Sequence, residues 1–167
     1  MSRDIIDELR ADWSEQRPEL DTEAMGVVLR IQALAKILAD QAAERLSRYG
    51  LQWWQYDVLS ALRRQGRPYR LMATELAAAS RLTSGAMTNR IDRLESEGLV
   101  RRLHDPQDRR RVLVELTASG RKLVEQAMTA RFETAAGALN SLDSSQRRQL
   151  GDLLRDLLLA QEDWTQP

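Results

Sequence analysis

Residues 71–117, LMATELAAASRLTSGAMTNRIDRLESEGLVRRLHDPQDRRRVLVELT, change periodicity in an order that few folds accommodate. A short helix, a turn and a longer helix are followed by two strands joined through an arginine-rich loop. The longer helix is the best marked. Thr83 supplies an N-capping hydroxyl, and Leu82 before it pairs with Met87 at the fourth helical position as a hydrophobic staple. Met87, Ile91 and Leu94 recur at i, i+4 and i+7 as one apolar stripe. Gly98 follows the last turn, where a left-handed stop costs glycine least. Residues 99–103 and 112–116 are short runs of apolar and β-branched residues with Asp105 and Pro106 between them, which predicts a hairpin.

The other face of the long helix carries Gly85, Thr88, Asn89, Asp92, Arg93 and Ser96, all small, hydrogen-bonding or charged. A helix entering a DNA major groove needs such a face, because bulk blocks approach while amide and guanidinium groups read base edges. A merely solvated face looks similar, so the hairpin decides. Across residues 101–111 five arginines stand against Asp105 and Asp108, a balance of +3, in a chain with 25 basic and 25 acidic residues. A basic hairpin beside such a helix suits phosphate and minor-groove contact. The two halves together predict a mainly α fold with a small β-hairpin wing, a winged helix-turn-helix that binds double-stranded DNA. Ser84, Gly85, Thr88, Asn89 and Arg93 are the expected major-groove residues. The first two lie where free helix amides favour phosphate, Asn89 suits adenine, and Arg93 suits guanine or phosphate. Arg109 and Arg110 are the expected wing-tip contacts, with Asp108 orienting a neighbouring arginine. Arg101 and Arg111 are either further contacts or solvated strand residues.

The flanking chain reads as helix. Ile5, Ile6, Leu9 and Trp13 define a short amphipathic helix over about 2–16, either an extra packing element or one wall of a ligand pocket. A long helix over about 22–49 stops at Gly50, and another begins at Trp53. Thr117 caps a helix running to about residue 139, and Asp143 with Gln146 makes a capping box for a last one, to about 162. Leu150, Leu153, Leu154, Leu157, Leu158 and Leu159 crowd nearly two faces of that last helix. One buried face needs fewer, so helices 22–49 and 118–162 are expected to form a homodimer interface, the alternative being packing within one chain. The expected organisation is a single domain, 1–167, with the DNA-binding region at about 53–117.

Composition excludes several classes. With Cys 0 there is no disulfide, thiolate metal site or cysteine redox sensor, and the one histidine, His104, makes no metal cluster. No nucleophile–base set or phosphate loop is visible, so neither an enzyme nor a cofactor is expected. No apolar run of 18 residues and no signal segment is present, which leads to the expectation of a cytoplasmic protein without membrane contact.

Helix arithmetic adds a candidate effector site. At roughly 100° per residue, Arg90 lies about 60° from Met87, bordering the apolar stripe. Asp57 sits at the same offset from Trp54, Val58 and Ala61 on the preceding helix. Both charges are expected to point inward, where an unpaired charge is costly. They make either a structural Asp57–Arg90 salt bridge or an anion site in which a ligand competes for Arg90.

The segment ELAAASRLTSGAMTNRIDRLESEGLVRR, followed by DPQDRRRVLVELTASGR, resembles the MarR family of transcription regulators, and the flanking helices extend the likeness over nearly the whole chain. The DP-x-D-R-R wing with its strand ending in LT is the most specific part. The resemblance implies a homodimer that binds a palindromic operator and releases it when a small molecule binds. Trp13, Asp57, Arg90 and Arg102 stand in DWSEQRPELD, QYDVLSALRR, GAMTNRIDRLE and GLVRR. This set is similar to that of the family's urate-responsive branch, which implies these four as ligand residues and urate or a related small anion as ligand. Two rival readings remain: a pocket for phenolic or lipophilic compounds, and a winged-helix module that binds protein instead of DNA.

Overall fold

The computed structural model describes residues 3–104 and 111–161. Among these residues seven helices and three strands run in the order α1 (Ile5–Gln16), α2 (Thr22–Ser47), α3 (Trp53–Arg64), β1 (Arg70–Met72), α4 (Ala73–Ala79), α5 (Ser84–Ser96), β2 (Val100–His104), β3 (Val112–Leu116), α6 (Ala118–Ala138) and α7 (Ser144–Leu159). The chain divides into two compact units, residues 1–42 and 43–167, so that α2 begins in the first and ends in the second.

In the first unit, Asp4 caps α1 by accepting from the amides of Ile6 and Asp7, and Asp7 returns a bond to the Asp4 amide. Arg30 of α2 reaches both carboxylates, at 2.9 Å from Asp4 and 2.8 Å from Asp7. Its hydrogen bond holds the Asp4 carboxyl below the ordinary carboxylate range. Arg10 donates to the Thr22 carbonyl at 2.9 Å and lies so close to Gly26 that a Cβ there would sit 2.4 Å from its Cδ. Leu9, Trp13, Leu20, Met25 and Leu29 line a cleft of about 440 Å³ between the two helices, with Arg10 and Asp21 among its polar residues.

The core of the second unit is built from Leu46, Val58, Leu59, Leu62, Leu76, Met87, Ile91, Leu94, Val100, Val114 and Val124, contributed by helices and sheet alike. The apolar stripe read on α5 is therefore the face it buries. Thr83 caps α5 by accepting from the Ala86 amide, and Gly98 ends it at φ 68°. The sheet is antiparallel in the order β1-β3-β2, with Arg101 opposite Glu115 and Leu71 opposite Val114. The hairpin stands where expected. The third strand was not anticipated: β1 is three residues long, and residues 71 and 72, read as the start of the short helix, belong to it.

Thr117 locks the far end of the hairpin. Its hydroxyl donates to the Gly98 carbonyl at 2.7 Å and accepts from the Gly120 amide at 3.0 Å, capping α6. Gly120 then packs on the backbone of β2's approach, where a Cβ would lie 1.9 Å from the Leu99 carbonyl oxygen. Helix α7, capped by Asp143 and Gln146 as expected, has no buried residue, and its leucines 150, 153, 154, 157, 158 and 159 are all exposed. Among the described residues no helix is long and apolar enough to cross a membrane, and no cluster of three or more potential metal ligands occurs.

Candidate nucleic-acid interface

Burying Met87, Ile91 and Leu94 forces the opposite side of α5 outward. Ser84, Gly85, Thr88, Asn89 and Arg93 are all exposed, and nothing lies within 4 Å of a Cβ built on Gly85. The Thr88 hydroxyl donates to the Ser84 carbonyl at 2.9 Å, which leaves its lone pairs outward as acceptors. Beside the first turn of α5, Met72, Ala73, Thr74, Ser84, Thr88, Arg111 and Val112 line a cleft of about 270 Å³. Hydroxyls, a guanidinium and the start of a helix meet there, a chemistry suited to a phosphate. Thr74, which the sequence does not single out, reaches this cleft on α4, the helix that packs against α5.

Arg102 ties the wing to α5. Arg102 of β2 sends its guanidinium to Glu95 and Asp92 on α5, each at 2.5 Å, and its backbone amide donates to Glu95 at 2.8 Å. A longer bond of 3.4 Å reaches the Thr88 carbonyl. Partial burial works against its charge, but the bonds to Glu95 and Asp92 raise the pKa of Arg102 above its ordinary value. Arg101, left open between two readings, pairs with Glu115 across the sheet and keeps an exposed side chain. Asp108, Arg109 and Arg110 lie outside the described residues.

The four expected effector residues fall in different units of the chain. Trp13 is in the first unit, while Asp57, Arg90 and Arg102 are in the second. Trp13 lines the apolar cleft described above and is half exposed. Arg90 is half-buried, as its angular position implies, but no Asp57–Arg90 ion pair forms. Its guanidinium lies over the ring of Trp54, 5.6 Å from the centroid, and Arg93 lies over the same ring at 5.1 Å. Trp54 precedes Asp57 by just under one turn of α3, so the indole meets α5 where the carboxylate was expected. The sequence places Trp54 on the same side of α3 as Val58 and Ala61, and Asp92 on the outer face of α5. The signal for Arg102's partners was present in two carboxylates one turn apart, Asp92 and Glu95, on a helix facing a basic strand.

Residues 51–112 match the MarR family. The HTH-type transcriptional regulator PecS of Dickeya dadantii is 30% identical over 150 residues, spanning 89% of this chain and 90% of PecS. Among solved structures, a mutant MarR from E. coli complexed with operator DNA superposes with a TM-score of 0.68 at 26% identity, over 87% of this chain and 97% of that one. Sco3205, a MarR family transcriptional regulator from Streptomyces coelicolor in complex with DNA, gives a TM-score of 0.74 at 26% identity, over 89% and 97% of the two chains.

Proposed function

The chain belongs to the MarR family, and from that membership we propose a homodimeric repressor that binds a palindromic operator and leaves it when a small anion binds. The observation that carries DNA binding is the two-sided character of α5. Its apolar stripe is buried, and Ser84, Gly85, Thr88, Asn89 and Arg93 all face outward beside a wing strand fastened by Arg102. Two copies related by two-fold symmetry would present two such helices to half-sites about 34 Å apart. The exposed leucines of α7 and the exposed Val28, Ile31, Leu34 and Ile37 of α2 support that pairing, since a monomer gains nothing by leaving them in water.

Arg90 and Arg102 give an anion two different footholds. Arg90 has no carboxylate partner among the described residues, so a ligand can take it without breaking an ion pair. Arg102 is already held by Asp92 and Glu95, so a ligand that claims it loosens the wing from α5. Both routes change the helix that meets DNA, which is how differential affinity for two shapes becomes release. Urate or a related planar anion is the proposed ligand class, with Trp13, Asp57, Arg90 and Arg102 as its residues and α1 as the extension typical of that branch.

A second reading rests on the first unit. The cleft around Trp13 is mostly apolar, which favours a phenolic or lipophilic compound there instead.

A gel shift with the gene's own upstream DNA, titrated with urate and with salicylate, tests both. Arg90→Ala is expected to blunt release by urate more than it weakens operator binding. Equal loss of the two would remove Arg90 from the effector role. Release by salicylate alone, abolished by Trp13→Ala, would favour the second reading.

A further inference from the structure

The two guanidiniums of α5 that have no carboxylate partner among the described residues converge on one indole. Arg90 and Arg93 lie 5.6 and 5.1 Å from the centroid of Trp54. The indole itself is fixed. It is half-buried, packs against the core of the second unit, and donates from Nε1 to the Gln52 side chain at 2.5 Å, at the N-cap of α3. A carboxylate partner would neutralise Arg93 and occupy its N–H groups. An aromatic face does neither, because cation–π attraction leaves all five donors of the fork available in the guanidinium plane. Arg93 is thereby held in place while keeping its full capacity for a phosphate or a guanine edge.

We propose that Trp54 is a positioning residue for DNA recognition, holding Arg93 ready on the outer side of α5 while sharing its ring with Arg90. The inference rests on the reading of α5 as the DNA-contacting helix. It adds a link between effector and DNA that needs no movement of the helix axis. An anion that draws Arg90 off the indole changes the platform on which Arg93 rests, one turn away on the same helix.

A double-mutant cycle on operator affinity tests it, with Arg93→Ala, Trp54→Leu and the two combined. Leucine keeps apolar bulk but has no aromatic face. Arg93→Ala is expected to weaken binding and to flatten the salt dependence, about one unit of slope for each phosphate lost. Trp54→Leu is expected to weaken binding roughly five- to thirtyfold across two protomers while keeping the wild-type salt slope. In the combined variant the tryptophan change is expected to add less than about twofold, because its effect passes through Arg93. Trp54→Phe, with a weaker face, is expected to fall between, and it carries the same cycle should the leucine variant not fold. Additive losses, as a general packing role would give, overturn the proposal. If Arg93→Ala leaves operator affinity unchanged, the reading of α5 falls and the inference with it.

Discussion

Replacing Arg102 by alanine removes the ion pairs described between β2 and α5, and the structure sets the size of the effect. Two ion pairs go, each 2.5 Å long, with side-chain exposures of 28% for Arg102, 56% for Asp92 and 38% for Glu95. At such exposure each pair contributes about 0.2–1 kcal/mol. Asp92 and Glu95 are then left three residues apart on one helix, a like-charge pair that costs a few tenths more. The total is about 1–2 kcal/mol, or roughly 2–8 °C in melting temperature for a chain of this size. Circular dichroism melts at fixed protein concentration measure it. The gap from wild type is expected to narrow at high salt, because these pairs are only half shielded from solvent. Arg102→Lys is expected to recover less than half, since an ammonium cannot bridge two carboxylates as a planar fork does. A melting temperature within a degree of wild type at low salt would refute the clamp. So would full recovery by lysine.

Gly120→Ala is expected to be among the most damaging small substitutions in the second unit. Its Cβ would meet the Leu99 carbonyl oxygen at 1.9 Å, and backbone cannot yield as a side chain can; a loss of about 3 kcal/mol or more is expected in urea unfolding. Thr83→Ala removes the cap of α5 and should cost about 1 kcal/mol in the same assay, with a smaller loss for Thr83→Ser. The bond from Arg30 lowers the Asp4 carboxyl below its ordinary value of 3.8. Its contribution is therefore present above that value and is lost as pH falls through the lowered one. Asp4→Asn, which preserves the cap but not the charge, should flatten that acid dependence, read by Trp13 fluorescence in the first unit.

What the sequence disclosed and what it withheld differ in physical kind. The caps of α5, α6 and α7, the stop at Gly98 and the hairpin are local devices, each written within a few neighbouring residues, and all stand where they were read. Strand β1 was hidden because three residues carry no measurable period and its pairing with β3 spans more than 40 positions. The candidate site divides in the same way. The outward face of α5 follows from helical geometry alone. Arg90 was correctly placed at the border of the stripe, yet its neighbour across the helix–helix contact is Trp54, not Asp57. Periodicity gives the direction of a side chain on its own helix; the axial offset between two helices is a tertiary quantity. Arg102 shows the limit again, since its carboxylate partners are set by how the wing folds back on α5.

The most direct test of DNA recognition by α5 is selection of duplexes from a random pool by the wild-type chain and by Asn89→Ala. The wild-type protein is expected to enrich an inverted repeat with half-site centres about one helical turn apart. The variant is expected to lose preference at one base pair in each half-site, about 1–3 kcal/mol of discrimination there, with the rest of the repeat retained. Enrichment of no sequence, or an identical repeat selected by both proteins with equal stringency at every position, would contradict the account.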